Sequence, residues 1–266
     1  MPEILKSVLL GIIQGVTEWL PVSSTGHMLL FDAFIPMNSS SEFRSLFLVV
    51  VQLFSAFAVL FQYKERLFFG KSASKEKRSL WLKIGIGSIP AATVGFFLDD
   101  WIETYLYTPF VVVITLILYG ILLLLIEKTR KFSKKTEAEE LTLPDAVKIG
   151  CFQTLALVPG TSRSGATIAG GMLLGVNRSL ATEFSFFLSI PVMLGASALR
   201  IGKYFLSGDG LIFDEWIFLF VGGMTAFLVS LLTVRFLSSF VKKHSFLIFA
   251  LYRILLGIIL LFLLVL

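Results

Sequence analysis

Apolar positions run almost unbroken along this chain, and the polar residues that interrupt them gather in two short clusters. A helix needs about 20 apolar residues to cross a bilayer. Six stretches approach or reach that length: Leu46 to Tyr63, Leu80 to Leu98, Phe110 to Ile126, Phe184 to Phe205, Trp216 to Val234 and Phe246 to Leu266. Two other stretches differ, because Pro21 and Pro159, with adjacent Gly, Ser and Thr, cut each into two short apolar pieces. Such pieces predict half-helices that enter and leave a membrane on one side. The expected fold is all-α and integral to a membrane.

A weak internal repeat, offset by about 140 residues, organises these elements. Gly11-x-x-Gln14 matches Gly150-x-x-Gln153, Pro21-x-Ser-Ser24 matches Pro159-x-Thr-Ser162, Ser41-Glu-Phe43 matches Thr182-Glu-Phe184, and Tyr119-Gly120 matches Leu256-Gly257. The chain therefore reads as a single membrane domain, 1–266, with repeat one at about 1–127, a charged linker at about 128–143 and repeat two at about 144–266. Each repeat holds a broken re-entrant helical hairpin plus three transmembrane helices. Because three is odd, the second copy is inserted upside down, giving inverted-topology repeats whose hairpins approach the midplane from opposite faces.

Composition agrees: 56% hydrophobic residues, 27 Phe and a mean hydropathy of +0.87 exceed what a soluble core needs. The net charge of +5 would suggest nucleic acid in a soluble protein, but the Lys and Arg concentrate in the loops Lys64 to Arg78 and Lys128 to Lys135. Basic loops beside apolar spans mark the cytoplasmic side, so no nucleic-acid partner is expected. With the first hairpin entering from outside, these loops and Arg235 to His244 fall inside, whereas Asp99, Asp100, Glu103, Asp209, Asp214 and Glu215 fall outside. A lone Cys151 excludes an internal disulfide.

The chemistry should sit in the two polar clusters, since ionisable residues within a membrane are costly and mark function. Gln14 and Glu18 are four apart, share a helical face and could hold a divalent cation. After Pro21, Ser23-Ser24-Thr25-Gly26-His27 looks like a helix start, with hydroxyls to cap amides and a positive dipole end for an anion. Capping explains Ser23 or Ser24 but not His27, whose imidazole can move a proton near neutral pH. Asp32 could orient that ring. In the second cluster Gly160, Thr161, Ser162, Arg163, Ser164 and Thr167 combine flexible backbone, hydroxyls and a guanidinium, as phosphate recognition requires. A small-residue packing surface is the bland alternative, but packing does not call for an arginine. Gly170, Gly171 and Gly175 are expected to be packing glycines.

At these motifs, Gln14-x-x-x-Glu18 leading into Pro21-Val-Ser-Ser-Thr-Gly-His27, and Pro159-Gly-Thr-Ser-Arg-Ser164 with Thr167, the sequence resembles the undecaprenyl-diphosphate phosphatases of the bacitracin-resistance type. The resemblance covers nearly the whole chain. It implies hydrolysis of undecaprenyl diphosphate to undecaprenyl phosphate and inorganic phosphate in the bacterial inner (plasma) membrane, recycling the cell-wall carrier lipid. It also implies a multi-pass protein with interdigitated inverted repeats, an active site facing the outer side, and assistance from a divalent cation, Mg²⁺ or Ca²⁺. Many members carry Glu where this chain has Gln14, so the cation would rest on Glu18 and substrate oxygens.

On this basis Glu18, Ser24, His27 and Arg163 are the expected catalytic residues, and Gln14, Ser23, Thr25, Gly160, Thr161, Ser162, Ser164 and Thr167 would bind substrate. Glu18 and Gln14 are the candidate metal ligands. Ser24 could attack with His27 as its base, or His27 could itself attack or activate water. The expected partners are a polyprenyl diphosphate and membrane lipids, with a homodimer open to the chain. A secondary transporter or flippase for phosphate or a lipid-linked anion is the alternative, since broken helices at the midplane also describe transporters. A type 2 phosphatidic acid phosphatase fits poorly, because no histidine follows Arg163 until His244.

Overall fold

The computed structural model describes residues 1–69, 74–129, 135–137, 140–206 and 210–265. Parts of the linker at 130–134 and 138–139, and of the loop at 70–73, lie outside the described residues, as do Asp209, Leu266 and the side chain of Asp32. Among the described residues the α-helices are α1 (Glu3–Thr17), α2 (Ser24–Phe34), α3 (Ser41–Gln62), α4 (Ser74–Leu106), α5 (Pro109–Thr129), α6 (Leu143–Thr154), α7 (Arg163–Leu173), α8 (Arg178–Leu206), α9 (Phe213–Phe240) and α10 (Leu247–Val265). Six of these, α3, α4, α5, α8, α9 and α10, are long and apolar enough to cross a membrane, as the hydrophobic pattern anticipates. The remaining four are the short pieces flanking the two prolines. Pro90 and Pro191 sit inside α4 and α8, where neighbouring helices can supply what the missing N–H removes.

Local chemistry sets the helix ends. Ser40 caps α3 through the Phe43 amide, and Thr142 and Asp145 form a reciprocal capping box on α6. Gly175 is not the packing glycine expected of it. Its φ of 88° ends α7 in a Schellman motif, in which the Val176 amide donates to Gly171 O at 3.0 Å and the Gly175 amide to Met172 O at 3.1 Å. Gly170 does meet a neighbour, Phe152.

Each hairpin is tied shut at its open end. Lys6 bonds Glu3 and donates to Pro36 O, while the Asn38 amide donates to Glu3, joining the start of α1 to the end of α2. In the second hairpin Lys135 bonds Asp145 of α6 and pairs by backbone with the Val176 region after α7. The hairpins then pack against distant spans. A Cβ on Gly11 of α1 would lie 2.5 Å from Gly222 O of α9, and one on Gly150 of α6 would run into the Gly87 carbonyl of α4. Small residues thus let backbones cross closely, as membrane helix packing requires.

Three apolar clusters result among the described residues, the smallest of them Val112, Leu116 and Leu256. Of the larger two, one gathers Trp19, Phe184, Phe186, Phe187 and Phe246, and the other Phe43, Phe47, Tyr204 and Leu219. Large side chains such as Phe96, Phe97, Leu232 and Leu255 stay exposed on the helix exteriors. Charge pairs mark both ends: Arg200 and Lys203 of α8 meet Asp99, Asp100 and Glu103 of α4, while Arg66 meets Glu183 and Arg178 meets Glu127.

The proposed residue matches need adjustment. Ser41-Glu-Phe43 opens α3, yet Thr182-Glu-Phe184 lies a full turn inside α8, which starts at Arg178. In the hairpins Ser23, not Ser24, matches Ser162: both are N-caps with φ of 73° and 71°, each accepting from the amide three residues on. With Ser23 on Ser162 the offset is the same as for Gln14 on Gln153, so Pro159 stands one position earlier in its turn than Pro21 does.

Candidate active site where the two hairpins meet

The breaks at Pro21 and Pro159 place two helix N-termini, those of α2 and α7, in the protein interior. Ser23 and Ser162 adopt left-handed backbone, a conformation that costs a non-glycine residue about 1–3 kcal/mol and recurs at functional sites. Their hydroxyls accept from Gly26 N at 3.2 Å and Gly165 N at 3.1 Å, so each tip is capped from within. Gly160 has φ of 86° and sits against Thr115 and the Val112 carbonyl of α5, where no side chain fits.

Between the tips lies a buried ion pair. Arg163 donates from Nε and Nη2 to Glu18 Oε1, both at 3.2 Å, and its Nη1 donates to Ser185 O at 2.8 Å. The two side chains are only 10% and 5% exposed, so the charges are almost wholly desolvated and depend on each other. The guanidinium also lies 5.5 Å from the ring centre of buried Trp19. The second carboxylate oxygen, Glu18 Oε2, accepts from Gln14 Nε2 at 2.9 Å and from Ser24 Oγ at 2.8 Å. Ser164 Oγ reaches Glu18 O and Leu20 O, a further stitch from the second hairpin to the first. Thr167 Oγ1 donates to Arg163 O at 2.9 Å and shares a 2.6 Å bond with Ser185 Oγ.

The expected residues therefore converge, with one exception in pairing. Gln14, Glu18, Ser24, Arg163, Ser164 and Thr167 form one network, and Ser23, Ser162 and Gly160 build its backbone frame. Half-buried Thr25 lies in the first turn of α2. The expected Ser24–His27 partnership is replaced: the Ser24 hydroxyl bonds Glu18, while His27 Nδ1 donates to Ser23 O at 2.7 Å and Nε2 meets the Tyr252 hydroxyl at 2.6 Å. On a helix, three residues of spacing bring side chains near each other, but the local carbonyl of Ser23 captures the imidazole first.

Three contributors lie outside both motifs. Ser185 orients Arg163, Tyr252 holds His27, and Arg253 binds the frame. Arg253 is 1% exposed and donates to five carbonyls: Pro21, Gly160, Thr161, Thr115 and Leu116. It thus ties both hairpin tips to α5. An arginine inside the span Leu247–Leu264 is itself a legible signal, because a charge there demands buried partners.

A divalent cation fits this donor set only in part. Among the described residues no three His, Cys, Asp or Glu side chains converge. Gln14 Oε1 is buried without a partner, and with Glu18 it offers the hard oxygen such an ion prefers. Two protein side chains fall short of the roughly six ligands such an ion takes.

These features define a helical membrane protein whose two interrupted hairpins meet in a buried site suited to an anion. Residues 7–259 match the family model described as bacitracin resistance protein BacA, and the chain belongs to that family. It is 49% identical over 264 residues to undecaprenyl-diphosphatase 1 of Clostridioides difficile, covering 97% of this chain and 95% of that protein. It is 46% identical over 271 residues to the undecaprenyl-diphosphatase of Enterococcus faecalis, covering 97% and 96%, and 47% identical over 267 residues to that of Streptococcus thermophilus, covering 98% and 93%.

Proposed function

We propose that this chain is an undecaprenyl-diphosphate phosphatase that releases inorganic phosphate from the carrier lipid and so confers bacitracin resistance. The observation that carries the mechanism is the Glu18–Arg163 pair, joined across the two tips and surrounded by hydroxyls. Arg163 exchanges the carboxylate for the terminal phosphate of the substrate, two of whose tetrahedrally arranged oxygens can accept the guanidinium fork. The α7 amides and the hydroxyls of Ser162, Ser164 and Thr167 complete the anion cradle. Glu18, released from the guanidinium, takes the proton of Ser24 Oγ, to which it is already bonded.

Ser24 then attacks the terminal phosphorus. The new Oγ–P bond replaces the bridging P–O bond, and undecaprenyl phosphate leaves as an anion. Arg163 neutralises the charge that shifts onto the leaving and equatorial oxygens. Water, its proton taken up at His27 Nε2, then attacks the phosphoserine; the Oγ–P bond breaks, inorganic phosphate leaves, and the serine oxygen recovers its proton from Glu18. Gln14 and Glu18 would hold the cation together with the diphosphate; when bound, it neutralises phosphate charge.

The fold is read as two inverted repeats, 1–127 and 144–266. What supports this is the repeated order of hairpin and three spans, and the closing of the two hairpins at different ends. The first is continuous through Met37, Phe43 and Tyr204 with the end of α8. The second is tied by Lys135 and Val176 to the residues leading into α8. The basic loops after α3, α5 and α9 support a cytoplasmic second end, with the first hairpin and the diphosphate site opening outward from the bacterial plasma membrane.

The test is phosphate release from undecaprenyl diphosphate by the purified chain in detergent, with and without chelator. Release should be cation-dependent and lost in Arg163→Ala and Glu18→Gln. In Ser24→Ala, rapid-quench labelling should show no phosphoenzyme. Undiminished turnover in that variant would exclude serine attack.

A further inference from the structure

Of the titratable side chains at the tips, His27 is held from a distant element by one that no motif includes. Ser23 O can only accept, so the 2.7 Å contact at Nδ1 requires a proton there. The neutral ring therefore keeps its one lone pair on Nε2, the nitrogen that can take up a proton. That nitrogen lies 2.6 Å from Tyr252 Oη, across 225 residues of chain. The two rings are parallel within 5°, with centres 5.7 Å apart, so the hydroxyl approaches Nε2 edge-on, along the lone pair. Around Tyr252, which is 42% exposed, α10 forms a shallow groove lined by the apolar Ile248, Leu251, Ile254, Leu255 and Ile258.

We propose that Tyr252 is the relay through which His27 acts. Its hydroxyl, seated on the single lone pair of Nε2, passes its own proton to that nitrogen while taking one from the attacking water, and it keeps the tautomer single. The proposal rests on the role given above to His27 as the base for water. Two contacts, Ser23 O and Tyr252 Oη, hold opposite edges of the imidazole. Tyr252 is anchored by its neighbour Arg253, whose five carbonyl bonds lock this turn of α10 to both tips. Without the hydroxyl, only the Ser23 contact restrains the ring, and rotation about the side-chain torsions moves Nε2 out of line. Substrate binding at Arg163 does not depend on this contact, so the effect should fall on turnover rather than affinity.

The experiment compares wild type, Tyr252→Phe and His27→Ala as full-length protein in detergent, using undecaprenyl diphosphate. The chain has only two histidines, so ¹⁵N-histidine spectra contain two rings, and His27→Ala assigns them. Wild type should show His27 protonated on Nδ1 with a hydrogen-bonded Nε2. Tyr252→Phe should shift the His27 Nε2 resonance alone, lower kcat at least about tenfold with KM within about twofold, and leave the melting temperature nearly unchanged. Unaltered kcat in Tyr252→Phe, with His27→Ala inactive, would overturn the proposal while leaving His27 in its role. Full activity in His27→Ala would overturn both. A fall in Tyr252→Phe activity that tracks its folded fraction, with no Nε2 shift, would reduce Tyr252 to packing and overturn the proposal as well.

Discussion

The two hairpin tips share a backbone and divide the chemistry. At each, a serine with φ near 72° caps a buried helix through the amide three residues on. The residue after the cap differs: the first helical position is Ser24 in α2 and Arg163 in α7. The approach to the cap differs too. Counting back from the caps, Gln14 and Glu18 correspond to Gln153 and Leu157. Gln14 donates to Glu18, whereas buried Gln153 has no partner for either amide atom. The first tip therefore carries the acid, the Ser24 hydroxyl and the imidazole, and the second carries the guanidinium. A strained, serine-capped turn serves as the frame of both tips, and the network between them exists only because unlike tips face each other.

The largest effect that would break this division is loss of Arg163, the cation that the second tip itself contributes. Arg163→Ala should reduce kcat/KM by about 10³-fold or more, as removal of a transition-state donor does. Arg163→Lys, which keeps charge without the fork, should recover only part of it in the same assay.

Removing the acid at the first tip comes next. Glu18→Gln should abolish most turnover and destabilise the fold by about 3–5 kcal/mol, because it leaves a buried guanidinium unpaired. A Glu18→Met, Arg163→Met double variant should melt near wild type yet remain inactive. Melting in detergent, set beside phosphate release, separates the two roles. If the double variant melts as low as Glu18→Gln, the pair is more than a matched charge.

The shared frame should respond equally at both ends. Ser23→Ala and Ser162→Ala each lose a cap worth about 1 kcal/mol while keeping the left-handed backbone, so both should lower the melting temperature. Glycine at either position relieves the strain and should cost only a few tenths of a kcal/mol. Unequal responses would show that the tips are alike in geometry only. The smallest effect is the sharpest contrast: Gln153→Leu should be neutral or stabilising by up to about 1 kcal/mol, since it removes an unpaired buried amide. Gln14→Leu, stripping a partner from Glu18, should impair phosphate release.

Much of this is legible in the chain. The six spans follow from the length of apolar runs, and the structure extends most of them by a turn or more at the ends, where capping residues such as Ser40 rather than hydropathy set the boundary. The breaks are visible because Pro, Gly and hydroxyl residues do not sit idle amid Leu and Phe. Gln14, Glu18, Ser24 and Arg163 stand out as polar groups in an apolar setting, and they converge. The errors have equally physical origins. Matching residue types aligns Ser24 with Ser162, whereas backbone conformation aligns Ser23. Helical spacing suggests a Ser24–His27 pair, but spacing alone cannot weigh a competing carbonyl or carboxylate. Arg253 is easily overlooked in a span that otherwise looks uniformly apolar, although a charge at that depth requires partners.

Hydropathy, punctuation and residue chemistry by themselves determined that this chain crosses a membrane, where its helices break and which groups are available for an anion. Those properties are local, set by the cost of burying each side chain and by the φ and ψ each residue tolerates. Tertiary structure decided which groups meet: Glu18 with Arg163 across 145 residues, His27 with Tyr252 across 225, and Arg253 with the carbonyls of both tips. Donors that must be satisfied in a medium without water find partners wherever helix packing brings them, and packing follows from the shape of whole faces rather than from spacing along the chain.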